Sequence, residues 1–232
     1  MRFTPLGDRA VTITLGSTID LATHRRVRSA CAALDAASLP GVIDQVPAFA
    51  SVSVHYDPAL VAGDPRLAPY DRLVTQLDEV LSNAREEQLP VARVIEIPVC
   101  YGGDLGPDLG DVADQHGLTP QQVIDLHVGA EYLVYMVGFM PGFAYMGGLP
   151  ERLATPRRAT PRTAVPAGTV GIGGSQTGVY PLESPGGWNL IGRTPLRIFE
   201  IGRDPATLLA TGDRARFAPI SLREFERWGE RA

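Results

Sequence analysis

Hydrophobic and polar positions divide the chain into two textures. Residues 9–15, RAVTITL, alternate β-branched with other positions and predict a strand. Ile19, Ala22, Val27, Ala30, Cys31 and Leu34 then recur at helical spacing, behind a capping pattern in which Asp20 follows Ser17 by three positions. A helix is predicted from about 18 to 37. Pro40-Gly41 breaks it. VIDQV and SVSVHY follow as two strands, the second with Val52, Val54 and Tyr56 on one face, and Asp57-Pro58 marks a turn. Leu73, Leu77, Val80, Leu81 and Ala84 define an amphipathic helix over about 70–88, which Pro90 ends.

This β-α-β-β-α order, completed by RVIEIPV as a last strand, is what a small ferredoxin-like α+β sandwich requires. RVIEIPV serves equally well to open the next domain, and the pattern leaves both readings standing. The division drawn from it is a small α+β domain over 1–90 and a second domain over 91–232.

Beyond residue 100 the texture changes. Pro107 to His116 predicts a short helix, and Thr119 as N-cap with Pro120 at the first helical position starts another, QQVIDLHVGA. EYLVYMVGF reads as a strand. From Gly142 to Gly192 the chain carries 11 of its 25 glycines and few charges, which predicts the short strands and tight turns of a compact β barrel. A linker would be richer in Ser, Glu and Arg. LRIFEI and RARFAPI predict late strands, and SLREFERWGERA a closing helix with Ser221 as cap and Glu224 at its third position. One stretch fits no element: GFMPGFAYMGGLP, 138–150, holds four glycines, two prolines and three aromatics, and predicts neither a helix nor a regular strand.

Composition narrows the classes. The chain has 232 residues and an ordinary apolar fraction, enough for one large domain or two small ones with a real core. Its 21 basic and 26 acidic residues leave a net charge of -5, and the arginines are scattered, so neither a nucleic-acid footprint nor a polybasic membrane patch is present. All 21 basic residues are arginine. A Walker-type phosphate-binding lysine, a Schiff-base lysine and a biotin-carrying lysine are therefore excluded on this chain. Cys31 and Cys100 lie far apart, so neither a disulfide framework nor a CxxC site is read from them, and a reducing cytoplasm is expected. MRFTPLGDRA has no apolar stretch behind its charges, so no secretory signal is expected. Tyr132 to Pro150 is uncharged and nearly as long as a membrane helix. Pro141, the glycines and the flanking Glu131 and Glu151 argue against that reading, and no membrane is expected as a partner.

Candidate chemistry lies in the glycine-rich half. GTVGIGGSQTG, 168–178, invites a phosphate-loop reading, because glycines let backbone amides approach an anion. It lacks GxxxxGK[ST], Gln176 stands where G-x-G-x-x-G needs its last glycine, and Thr177 stands where a nucleophile elbow around Ser175 needs one. Turns and bulges are the competing reading. In TPRRATPRTAVPAG an extended chain puts Arg157 and Arg162 roughly 15 Å apart, too far to clamp one carboxylate unless the segment turns. Either arginine alone suits an anionic substrate, or is a solvated surface group. His127, on a predicted helix eleven residues after His116, matches no metal-binding spacing, and no metal site is expected. It is a catalytic-base candidate or an ordinary packed histidine. Glu183 is the only acid between Glu151 and Glu200, either a site acid or a group that satisfies loop amides. Tyr180 and Trp188 suit a pocket wall or the core.

The stretch from HVGAEYLVYMVGFMPGFAYMGGLP through TPRRATPRTAVPAGTVGIGGSQTGVYPLESPGGWNLIGRTPLRIF resembles the B subunit of the bacterial 5-oxoprolinase. That family also includes the sporulation-kinase inhibitor and the protein long called allophanate hydrolase subunit 1. CYGGDLGPDL, TGDRARFAPI and the opening FTPLGDRAVTITLG fit it too, so the resemblance spans essentially the whole chain. It implies a small α+β N-terminal domain, a cyclophilin-like β barrel without prolyl isomerase activity, and a cytoplasmic chain inactive by itself. The implied activity is ATP-dependent opening of 5-oxoproline to glutamate, together with two partners, the related barrel-bearing C subunit and the separate A subunit. ATP would serve the complex without a phosphate loop on this chain. In that setting Arg157 and Arg162 would meet carboxylate or phosphate, Gln176 the amide, Tyr180 the substrate, and His127 and Glu183 would be the catalytic candidates. Phe139, Phe143, Tyr145 and Trp188 would line a pocket or the partner interface. Alternatives within the resemblance are inhibition of a sensor histidine kinase and a carboxyltransferase-like half subunit serving a biotin-linked urea or allophanate enzyme.

Overall fold

The computed structural model of the chain describes residues 1–84 and 91–229. Its contacts divide the chain into two compact units, Met1–Val91 and Ala92–Ala232.

The first unit runs β1 (Arg2–Pro5), β2 (Ala10–Thr14), α1 (Leu21–Ala37), β3 (Val42–Pro47), β4 (Ser51–Tyr56) and α2 (Pro69–Ser82). The sheet order is β1-β2-β4-β3, antiparallel throughout. β2 and β3 thus flank β4 in the split β-α-β arrangement of a ferredoxin-like sheet. Alternation sends Val11, Ile13, Val52, Val54 and Tyr56 to one face, where they pack with Val27 and Leu34 of α1 and Leu73 and Leu77 of α2.

Three expectations change here. The edge beside β2 is taken by β1, paired from Arg2↔Thr14 to Pro5↔Val11, and not by RVIEIPV. A four-residue tether through Gly7, at φ 67°, makes the hairpin a local pairing. The cap of α1 is Asp20 itself, whose carboxylate accepts from the Thr23 amide at 2.7 Å. α2 ends at Ser82, and 85–88 of the predicted helix lie outside the described residues.

The second unit is a closed seven-stranded barrel, whose wall strands are β5 (Val94–Tyr101), β6 (Tyr132–Val137), β7 (Ala144–Gly147), β9 (Thr169–Gly173), β10 (Gln176–Val179), β12 (Asn189–Arg193) and β13 (Arg214–Pro219). They run in the order β10-β7-β6-β13-β5-β12-β9. RVIEIPV belongs here, as β5, parallel to β13. β8 (Arg162–Val165) and β11 (Ser184–Gly186) form a separate ribbon. Helices α3 (Leu109–His116) and α4 (Pro120–Val128) pack on each other, and Thr119 and Gln122 form the capping box of α4. α5 (Leu222–Gly229) starts from Ser221, whose hydroxyl and amide engage Glu224. Ile97, Val99, Tyr132, Val134, Met146, Val170, Ile172 and Phe217 fill the barrel.

Two sequence expectations fail in this unit. GFMPGFAYMGGLP does hold a strand: Ala144–Gly147 pairs with β6 on one side and β10 on the other. Its glycine is structural, since a Cβ at Gly147 would stand 2.3 Å from the Tyr135 ring. LRIFEI forms no strand beyond one bridge, Phe199↔Thr207. The Arg203 guanidinium donates to the carbonyls of Arg197, Ile198, Pro205 and Ala206, and the Leu208 and Glu200 amides also meet the Ile198 and Ala206 carbonyls, so the segment closes locally on residues 205–208. Among the described residues no helix is long and apolar enough to cross a membrane.

Candidate functional site

The glycine-rich motif is the hairpin β9–β10, paired from Gln176↔Gly173 to Val179↔Val170. Val170 and Ile172 point into the barrel, which puts Gly171 and Gly173 on the outer face. The indole of Trp188 lies against that face: a Cβ at Gly173 would come within 2.5 Å of its Nε1. The absent side chains are what let an aromatic ring rest on a strand.

Around Trp188 gather Phe143, Tyr145 and Tyr180, with ring centroids 5.5, 6.2 and 6.5 Å away and edge-to-face geometry. Phe143, Tyr180 and Trp188 are buried together with Val165 and Leu190, and Tyr145 is half-buried. Arg157 sits over this cluster, its guanidinium carbon 5.8 Å from the Trp188 ring centroid, in cation–π range. Burial pushes the Tyr145 and Tyr180 phenols above their ordinary values, and the positive charge of Arg157 acts against that shift on both. Among the described residues Arg157 has no ion pair or hydrogen bond.

Arg162 is spoken for by a residue the sequence did not single out. Asp108, 2% exposed, accepts from Arg162 Nη2 at 2.6 Å, Arg158 Nη1 at 3.1 Å and the Leu190 amide at 2.6 Å. The Asp108 amide in turn donates to the Leu190 carbonyl at 2.9 Å. The turn that delivers Asp108 needs Gly106, where a Cβ would meet the Ile191 oxygen at 2.1 Å. The segment does turn, at residues 159 and 160, but it brings Arg158 and Arg162 together, leaving Arg157 outside the clamp. Asp108 falls within the helix predicted from Pro107 to His116, and its partners lie 50 to 82 positions away, which no local spacing reveals.

His127 is not placed for catalysis. It is fully buried on α4, its ring 4.5 Å from Phe217 and 5.2 Å from Tyr132. Thr177 Oγ1 donates to the Gly171 carbonyl, so toward His127 Nε2, 3.0 Å away, it accepts. Nε2 therefore carries the proton, and Nδ1 accepts from the Tyr101 hydroxyl at 2.8 Å. Both nitrogens are satisfied with the ring neutral, and burial pushes its pKa down to about 3. The expectation of a base is replaced by a packed, fully bonded core histidine.

The remaining candidates scatter. Gln176 is half-buried at the start of β10, and its Nε2 has no hydrogen-bond partner among the described residues. Glu183 is exposed in the turn before β11. Phe143 is core. Phe139 is 67% exposed and stands in left-handed backbone at φ 71°. No three His, Cys, Asp or Glu side chains among the described residues gather as a metal site.

The chain carries an α+β unit and a closed seven-stranded barrel whose outer face bears an arginine-capped aromatic cluster. The chain belongs to the family described as carboxyltransferase domain, subdomain C and D, whose model matches residues 1–209. It is 43% identical to the 5-oxoprolinase B subunit of Bacillus subtilis (strain 168), over 97% of this chain and 95% of that one. It is 46% identical to the 5-oxoprolinase B subunit of Escherichia coli O157:H7, over 92% and 94% of the two chains. The solved structure of TTHA0988 superimposes with a TM-score of 0.77 at 37% identity. That match covers 92% of this chain, which spans only 40% of the longer protein.

Proposed function

We propose that the chain is the B subunit of a bacterial 5-oxoprolinase, which hydrolyses 5-oxo-L-proline to L-glutamate with ATP and acts with its C and A partner subunits. The observation that carries this reading is the end-to-end similarity to the Bacillus subtilis protein. The chemistry is compatible with it. An unstrained lactam resists water, and ATP supplies the activation that makes its carbonyl carbon electrophilic; water then adds and the ring C–N bond opens. With no lysine and no phosphate loop on this chain, the phosphoryl chemistry is assigned to the partners. Its own contribution is a shaped, partly apolar surface that binds and orients. Gln176 is the candidate for the amide and Glu183 for an acid. Arg162, paired with Asp108, holds the segment in shape. The setting is cytoplasmic.

The test is to purify the chain with and without the C and A subunits and to measure ATP-dependent glutamate release from 5-oxoproline. Release is expected from the complete set, and none from the chain alone. A complete, folded set that releases no glutamate sinks the reading.

A further inference from the structure

We infer that Arg157, held over Trp188 beside Tyr145 and Tyr180, is a carboxylate-binding residue, and that Asp108 and Asn189 are positioning residues that aim it. The 5-oxoprolinase reading enters only in naming the anion: the carboxylate of a five-membered lactam acid or of its opened product.

Three consecutive residues dock on three others. Asn189 Nδ2 donates to the Pro156 carbonyl at 2.9 Å and to the Ile172 carbonyl at 3.2 Å, tying the residue before Arg157 to the barrel wall. The Arg158 amide donates to the Gly187 carbonyl at 2.7 Å, tying the residue after it. Between those two anchors Arg157 lies over Trp188, itself flanked by Gly187 and Asn189. Asp108 adds a third anchor through the Arg158 and Arg162 side chains. A surface arginine ordinarily swings on a free loop; this one has its backbone fixed on both sides.

Among the described residues no carboxylate pairs with Arg157. The nearby carboxylate, Asp108, already accepts from two other arginines and an amide, so the Arg157 guanidinium keeps its donors for an incoming anion. Tyr180 packs edge-on against the same indole, its ring centroid 6.5 Å away. A planar, exposed guanidinium suits the carboxylate of a small acid, whose ring would lie against the half-buried Tyr145, since Trp188 and Tyr180 are covered.

The test has two arms. In a Trp228→Phe background Trp188 is the sole tryptophan, and its emission reports on the shelf in the full chain. 5-oxoproline and glutamate are expected to shift it, 2-pyrrolidinone, the same ring without a carboxylate, is not, and Arg157→Gln abolishes the response. An equal response to 2-pyrrolidinone, an unchanged response in Arg157→Gln, or no response to either acid overturns the inference. In the assembled complex, Arg157→Gln is expected to raise KM for 5-oxoproline about 10- to 100-fold with kcat less affected, the loss of a charge-assisted contact. Asp108→Asn and Asn189→Ser, checked for folding by their melting curves, are expected to raise KM in the same direction, whereas loss of kcat alone argues against a positioning role. An active complex whose KM ignores Arg157→Gln sinks the inference and leaves the 5-oxoprolinase reading intact. A wild-type complex that releases no glutamate while the fluorescence arm holds does the reverse.

Discussion

His127 shows how far a side chain's chemistry depends on its neighbours. Free in water its imidazole titrates near neutrality, but between Tyr101, Thr177 and the Phe217 ring it stays neutral down to about 3. The folded state therefore binds this proton less readily than the unfolded chain does. Its contribution to stability is complete above about pH 6.5 and is lost as pH falls toward about 3. Urea unfolding between pH 6.5 and 4 should show stability dropping with a slope that includes about one proton, and His127→Gln should flatten that slope by this amount. An unchanged slope in the variant would show that His127 is not the group responsible. TPRRATPR makes the same point with arginines. The three differ little in local sequence, yet Asp108, some fifty residues earlier, takes Arg158 and Arg162 and leaves Arg157. No spacing rule connects residues so far apart in the chain.

Elements set by local chemistry were legible. Thr119-Pro120 started α4 and Ser221 preceded α5 as their capping residues require. Alternation marked β2, β4 and β13. LRIFEI is rich in strand-forming residues as well, yet it pairs only at the bridge Phe199↔Thr207, because composition reports strand preference and not a pairing partner. The hairpin β9–β10 was the hardest element to read. Its glycines looked like a loop that binds anions or turns, and they are instead the bare outer face on which Trp188 rests. Gly173→Ala should push the indole off that face, since its Cβ would fall inside the ring's contact distance. We expect about 1–3 kcal/mol of destabilisation from overpacking, measured by denaturant unfolding, and a changed Trp188 emission. A variant as stable as the parent, with the same emission, would remove the hairpin's role as the floor of the site.

For the whole molecule, the aromatics of GFMPGFAYMGGLP separate into two kinds. Phe143, 2% exposed among Tyr145, Tyr180 and Trp188, is core, and Phe143→Ala should cost about 3–5 kcal/mol of the unit's stability. Phe139 is exposed and holds a left-handed backbone that costs a non-glycine residue about 1–2 kcal/mol. Phe139→Gly should relieve that strain and leave the melting temperature equal or higher. If the ring meets a partner protein, the same change weakens co-purification of the complex; intact assembly with Phe139→Gly would end that role for it. The sequence by itself determined the classes of residue and the local elements: helices with their caps, alternating strands, a glycine-rich barrel half, and a charge balance without lysine. It did so because capping, alternation and turn chemistry act within a few residues. Only the tertiary structure decided that β1 and not RVIEIPV completes the first sheet, that His127 is core, and that Arg157 is the arginine left over an aromatic shelf. The β1–β2 pairing is itself local, but RVIEIPV is drawn away from that sheet by β13. The other two outcomes likewise rest on contacts between residues tens of positions apart, where pairing and burial are chosen by the fold as a whole.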